Sequence, residues 1–549
     1  MKQLKIVFFL LAIVVSSCSQ EKNLISFKSD HFEIGIDGNG VVHELNDIQN
    51  KVNYLAKDTT AFLMSIRVES KIVPPTSVTF KSDHLIINYP EGITAKVKVE
   101  EKATHITFEL VEITTIDGVE LALWGPVPTT IKKIIGETVG VVRGENYAIG
   151  IQALNAKTLG GYPWKDDDTM PQFDIFDQGD FSDISEQGKG YTLYRVEAAK
   201  PETFGSTLQA YCRNRFEERI IATMGHQKYV SPIMDDKGII GSKIALFGCP
   251  VDQTLETIGK IELAENLPHP MINGQWGKQA KGASAAYLIM DFSEETIDEA
   301  ITYTKKAGLD YLYHPGPFKN WGHFELNEAK FPNGWDGLKS CVEKVNASGI
   351  DVGLHTLANF ITTDDAYVTP VPDQRLAKVG GSQVTMAVNS TQTEIPIKAP
   401  DFFSQYGNNN LHTVRIGNEL IRYNKVSDTA PWKLIGCERG AWNTVASAHK
   451  ANGPIDKLAD HAYKVFLTDP ELTGEMAEKL AELFNYTGLR QISFDGLEGN
   501  HSTGMGNYGE NLFTSAWWNG LSKDIKEHTI IDASRTSHYF WHMYSRMNW

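Results

Sequence analysis

Clustered positive charge is scarce in this chain. Over 549 residues Asp and Glu number 68 against 52 Lys and Arg, a formal net charge of -16, and no long basic run interrupts the acidic balance. A surface that binds nucleic acid must gather Lys and Arg to displace phosphate counterions, so the composition argues against that partner. Cysteine is scarce too, 5 residues in all, and none stands in a C-x-x-C pair. Zinc spacing, a P-loop and the dinucleotide glycine fingerprint are all missing, so no metal, nucleotide or organic cofactor is expected. Also missing is an apolar run of the roughly 20 residues that a membrane-spanning helix needs. What remains is an ordinary globular composition in a chain too long for one core, so several domains are expected.

Lys2 and Lys5 lead into the apolar stretch 6–15, which is followed by Val15-Ser16-Ser17-Cys18. A short apolar run with these flanks matches a cleaved export signal. Val-Ser-Ser-Cys resembles a bacterial lipobox, as in lipoproteins of the Bacteroidetes type. That resemblance implies cleavage before Cys18, its lipidation, and anchoring in a membrane through the lipid. With Ser19 rather than Asp next, it favours the outer membrane, facing the periplasm or the surface. Residues 1–17 are then signal and 18–28 tether; an ordinary secretory signal with an incidental cysteine is the alternative. Cys212, Cys249, Cys341 and Cys437 remain, and in an exported protein they could form disulfides whose pairing the sequence does not choose.

From residue 29 to 223 short alternating runs are separated by turn residues, the pattern of antiparallel sheets with one buried face. His31-Phe-Glu-Ile-Gly-Ile36 and Thr104-His-Ile-Thr-Phe-Glu-Leu110 are examples. A β-sandwich is expected there, with a helix over 203–221 and a linker over 224–282. Beyond 282 apolar strands alternate with amphipathic helices, which signals parallel β/α units of a (β/α)8 TIM-type barrel over 283–549. Strands are expected at 285–290, 309–314, 350–355, 491–495 and 528–532, with Ser293 as the cap of the first helix. Residues 365–458 break this grammar with Val, Thr, Ile and turn residues and read as an inserted β-module. Its segments Ile416-Gly-Asn-Glu-Leu-Ile-Arg-Tyr423, Gly436-Cys-Glu-Arg-Gly440 and Ala446-Ser-Ala-His449 resemble a small module of phage tail proteins. Five strands fall short of the eight of a closed barrel, and the chain stops on an aromatic run ending at Trp549, so the barrel is expected to be incomplete at its C-terminus.

In a barrel the C-terminal ends of strands carry the chemistry. Gln491-Ile-Ser-Phe-Asp-Gly-Leu-Glu498 ends such a strand in two carboxylates, which makes Asp495 the leading catalytic candidate. A loop-capping Asp is the alternative. Phe331-Pro-Asn-Gly-Trp-Asp-Gly-Leu338, Val345-Asn-Ala-Ser-Gly-Ile-Asp-Val-Gly-Leu-His355 and Ile492-Ser-Phe-Asp-Gly496 together resemble the α-galactosidase (melibiase)-like clan of glycoside hydrolases. The resemblance implies a β/α barrel, often behind a β-sandwich, a retaining mechanism, and Asp495 as the nucleophile ending strand four. Ser493 departs from the Lys or Trp usual two residues before that nucleophile, and the clan's acid/base Asp would follow strand six. Glu498 is read as a stand-in acid or a substrate hydrogen-bond acceptor, with a solvated loop residue the alternative. Asp532 is a third carboxylate, more in keeping with a cap or a core pair.

His314, His355, Arg535 and His538 are expected near the same mouth as substrate-binding groups, Arg535 for a carboxylate or sulfate. Trp321, Tyr539 and Trp541 offer planes for stacking on sugar faces, although core packing suits Trp541 better. The expected function is an exported glycoside hydrolase acting on a polysaccharide or its oligosaccharides. A polysaccharide lyase using a His, Tyr or Arg as base, and a non-catalytic glycan-binding protein, are the alternatives.

Overall fold

A computed structural model describes residues 24–57, 59–163, 166–169, 197–407 and 411–547. The signal at 1–17, Cys18 and the tether up to residue 23 lie outside them. The N-terminal half is antiparallel. Thr94–Glu101 shows why: Ala95, Val97 and Val99 are buried while Lys96, Lys98 and Glu100 alternate outward, so only an antiparallel ribbon packed on one face satisfies the run. It lies in an eight-stranded sheet, in the order Ile134–Gly136, Val141–Arg143, Tyr147–Ala153, Lys243–Pro250, Ile106–Ile113, Thr94–Glu101, His84–Asn88 and Ser77–Lys81. A second sheet built on Val119–Thr129 and Gly205–Arg213 encloses the same core, where Phe108, Trp124, Ile149 and Leu246 meet. Trp124 keeps its indole N–H satisfied by donating to Ser242 Oγ at 2.9 Å.

Two expectations are corrected here. Residues 203–221 are not helical: Gly205–Arg213 is a strand paired with Val119–Thr129, and Arg219–Thr223 opens a hairpin. The strand is buried at nearly every position, so the period of two that would have marked it is hidden. The stretch 224–282 is not all linker either. Lys243–Pro250 is inserted between Tyr147–Ala153 and Ile106–Ile113 in the middle of the eight-stranded sheet, and Thr254–Ala264 is a helix.

The second half is organised by a parallel sheet of six strands in sequence order: Tyr287–Ile289, Tyr311–His314, Asp351–Leu357, Gln491–Asp495, Ile530–Ala533 and Arg546–Met547. The five strands expected there form, joined by the last. Their order is linear among the described residues rather than a closed ring of eight. One face is apolar and packs on helices: Leu312, Val352, Leu354, Ile492, Phe494 and Ile531 share a core with Leu338, Leu480 and Trp517. The Pro470–Thr487 helix shows how such a cover is built. Asp469 caps it by accepting from Leu472 N at 2.9 Å, proline occupies the first turn, and Gly488 at φ 78° ends it. Leu472, Met476, Leu480 and Phe484 make its buried stripe, and each large apolar side chain contributes roughly 1.5–3 kcal/mol. The Ile297–Ala307 helix begins after Thr296, and Ser293 instead accepts from Thr296 N at 3.2 Å one turn earlier.

The insert has its own core of Val384, Ile395, Val414, Ile421 and Ile455. Its motif residues converge on one buried carboxylate. Glu419 accepts from Arg439 at 2.8 Å through both oxygens, from His449 Nε2 at 2.6 Å, and from the N–H groups of Gly440 and Ser447 at 2.9 and 3.0 Å. Cys212, Cys249, Cys341 and Cys437 are all buried free thiols, so none of the disulfides they could form is present among the described residues.

Candidate active site

Strand parity decides which side chains meet at the sheet's C-terminal edge. The pairs Leu357↔Asp495, His355↔Ser493 and Ser493↔Asp532 place His355, Ser493, Asp495 and Asp532 on the face opposite the helices, and Tyr287↔Tyr311 with Tyr313↔Gly353 adds a tyrosine row. A polar and aromatic face in a sheet whose other side is apolar is the feature that needs a chemical explanation.

Asp495 ends the fourth strand, half-buried. The chain leaves through Gly496 at φ 63°, where a Cβ would come within 2.5 Å of the Phe360 ring, so only glycine allows the exit. Gly496 N donates to Asp495 Oδ1 at 2.8 Å, and Ala358 N donates to the Asp495 carbonyl at 3.0 Å, which ties the third and fourth strand ends together. Beside it, His355 is pushed down by burial with the Asp495 charge opposing, so the imidazole is neutral near pH 7. The Trp321 ring stands edge-on to His355, centroids 5.9 Å apart. Tyr313 completes the group. Burial raises its phenol well above the usual range, a bond with Ser493 opposes that, and the nearby Asp495 charge adds to it, so it remains a hydroxyl donor.

Glu498 lies one turn on, in the Leu497–Thr503 turn of 3-10 helix. Burial raises its carboxyl; its own N–H and the charges of Arg535 and His501 oppose this, while Asp495 reinforces it. A carboxyl biased toward its protonated form, three residues beyond a strand-end aspartate, can act as a general acid.

His314, His538 and Tyr539 are placed away from this group, and Arg535 is drawn to Glu510. His314 is on the helix-facing side, 1% exposed, with Nε2 at 3.0 Å from the Phe292 carbonyl and Nδ1 accepting from Gly316 N at 3.0 Å. Burial pushes it to about 4, and no ring nitrogen is left for a substrate. His538 is equally committed: Nδ1 donates to the Thr138 carbonyl at 2.9 Å and Nε2 accepts from Ala153 N at 3.1 Å, so it fastens the C-terminal loop to the sandwich. Arg535 is buried with Nε 2.7 Å from Glu510 Oε1, and the same carboxylate takes His501 Nε2 and Asn507 Nδ2 at 2.8 Å. Its charge also acts on the Glu498 carboxyl, which puts it beside the turn carrying Glu498. Tyr539 packs in the core and Trp541 against it, with Lys278 over the Trp541 ring at 5.4 Å. Asp532 is a core pair, bound by Arg546 Nε at 2.6 Å and Gln491 Nε2 at 2.7 Å.

Asp495, Glu498, His355 and Trp321 are therefore the expected residues that the fold brings to one place. Tyr313, Ser493 and Phe360 were not anticipated; the only signal was parity, since in Tyr311–His314 the residue before the terminal histidine faces inward. A cavity of about 510 Å³ opens elsewhere, between the Arg219–Ser231 hairpin and Phe402 of the insert, and shares only Ser502 and Thr503 with the Glu498 turn.

No protein-family model and no curated protein matches the sequence. Among solved structures the chain is similar to a GH36 α-galactosidase of Geobacillus stearothermophilus, at 8% identity and TM-score 0.43 over 95% of this chain and 74% of that one. It is similar to an α-galactosidase of Lactobacillus brevis at 8% identity and TM-score 0.39, over 96% and 72%. A GH31 sulfoquinovosidase of E. rectale also resembles it, with 8% identity and TM-score 0.39 over 95% and 68%.

Proposed function

We propose that the protein is a retaining glycoside hydrolase of a polysaccharide or its oligosaccharides, working on a β/α-barrel-type sheet. Asp495 attacks the anomeric carbon while Glu498 gives its proton to the leaving oxygen; a water then deprotonated by Glu498 releases the sugar from Asp495. Trp321 offers a plane to the sugar's apolar side, and the Tyr313 hydroxyl and neutral His355 hold hydroxyl groups. The observation that carries this reading is the pairing of Asp495 at the strand end with Glu498, whose carboxyl burial favours in the protonated form. A lyase would need a base and an arginine for the uronate carboxylate. With His314 and His538 bonded elsewhere, His355 and Tyr313 are the bases left beside Asp495 among the described residues.

We also read the chain as exported, cleaved before Cys18 and lipid-anchored at the outer membrane. Labelling with a palmitate analogue, lost in Cys18→Ala, tests the anchor. For the chemistry, reducing-end release from a panel of plant and algal glycans is compared between the wild type and Asp495→Asn. A loss of at least ~10³-fold supports the assignment, since removing a catalytic group acts on that scale; unsaturated products, or unchanged turnover, would refute it.

A further inference from the structure

On the sandwich, apart from Asp495, three arginines crowd one carboxylate. Arg213 and Arg215 are 2% and 1% exposed and Asp168 is 1% exposed. Arg213 Nε reaches the two Asp168 oxygens at 2.8 and 2.7 Å, Arg215 Nη2 reaches Oδ2 at 2.9 Å, and the Tyr211 hydroxyl donates to Oδ1 at 3.1 Å. Asp168 has little left to accept. Arg215 lies against the Tyr508 ring at 4.4 Å, and Arg67 is taken by Glu120 at 2.5 Å. The half-buried Arg219 donates one N–H to the Asp166 carbonyl at 2.5 Å. Its Nε and Nη2, and Arg213 Nη2, are buried without any acceptor among the described residues.

Buried guanidinium donors rarely go unpaired, because each costs the full desolvation of a charged group. Here Arg213 and Arg219, which carry these three nitrogens, line one cleft of about 320 Å³ together with Asn214. No other acid lining the cleft bonds these nitrogens: Glu120 is bound to Arg67, Glu217 is exposed, and the Asp166 side chain is 75% exposed. Burial and the Arg213 charge hold Arg219 down to about 10 despite the charges of Asp168 and Asp166. Arginine forks match oxyanions in preference to neutral hydroxyls.

We propose that this cleft binds an oxyanion, the carboxylate or sulfate substituent of an acidic sugar, through Arg213 and Arg219. That a sugar carries the anion rests on the function proposed above; the anion site itself does not. The test uses the full chain in thermal melts and calorimetric titrations with acetate, sulfate, D-glucuronate and D-glucose, sodium chloride holding ionic strength constant. A saturable stabilisation by acetate or sulfate, absent with glucose and weakened at least ~10-fold in Arg219→Met, is expected, the loss of one charged hydrogen bond being of that order. Should Arg219→Met lose its native circular dichroism, Arg219→Lys, which keeps the charge but not the fork, takes its place and must also bind more weakly. No saturable effect, or equal affinity in the variant, overturns the site. Glucuronate binding tighter than acetate supports the sugar; equal binding removes the sugar and leaves the anion. Anion binding that survives in a protein without hydrolytic activity would count against the proposed function alone.

Discussion

Asp495 and Glu498 stand three residues apart at one strand end. Glu498 is raised by burial, so as a general acid it is active below its folded value, and activity is expected to fall as pH rises through it. Glu498→Gln should remove that alkaline limb and cost ~10²–10⁴-fold in turnover of substrates with poor leaving groups, measured as kcat/KM against pH. Gly496 is the second residue-scale commitment. In Gly496→Ala the left-handed backbone alone costs ~1–2 kcal/mol, and the Phe360 ring must also shift, so urea melts should show at least that loss together with lower activity. Asp495, as the last residue of an apolar strand before glycine, was legible in the sequence. The assignments of His314 and His538 failed for a local reason. A terminal histidine signals a strand end but not which face it takes, and parity turns His314 toward Phe292 and Phe331 while the inward place goes to Tyr313.

At the scale of elements, period and capping residues were legible. The amphipathic helices expected between the strands of the second half form, among them Gly334–Asn346 and Pro470–Thr487. What was not legible was burial on both faces. Lys243–Pro250 carries a continuous apolar stretch and Gly205–Arg213 is buried at nearly every position, so neither leaves an alternation to read, and their partners lie far away in sequence. In the insert, Glu419 explains why its Arg439 and His449 motifs belong together. Burial alone would raise this carboxyl, but Arg439, His449 and two backbone N–H groups outweigh it and hold it low. A lowered acid contributes stability that is present above the unfolded value of 4.5 and lost as pH falls through the folded value. Glu419→Gln should cost ~3–5 kcal/mol, the scale for breaking a buried pair, read as faster hydrogen exchange confined to the insert's separate core.

Across the whole molecule, the sandwich and the parallel sheet share a core. Phe247 and Cys249 of the eight-stranded sheet lie in the same apolar cluster as Phe494, Trp517 and Phe540. His538 reinforces that junction with its two bonds to the sandwich backbone, at positions where Gly140 and Gly160 allow the ring to approach. Burial holds His226, His314 and His538 each at about 4, below the ordinary histidine value of 6.5. The unfolded chain therefore binds more protons between those values, so their contribution is complete above about 6.5 and is lost as pH falls toward about 4. Melting temperature should accordingly rise from pH 4.5 to pH 7, and the rise should shrink in His314→Asn.

The central claim is that Asp495 is the nucleophile of a retaining hydrolase. Once the glycan screen identifies a sugar, its 2-deoxy-2-fluoro glycosyl fluoride should inactivate the protein with time and leave one covalent adduct. Mass spectrometry of the digest should place that adduct on Asp495. An adduct on another residue, or saturable inhibition without any covalent label, would contradict the account.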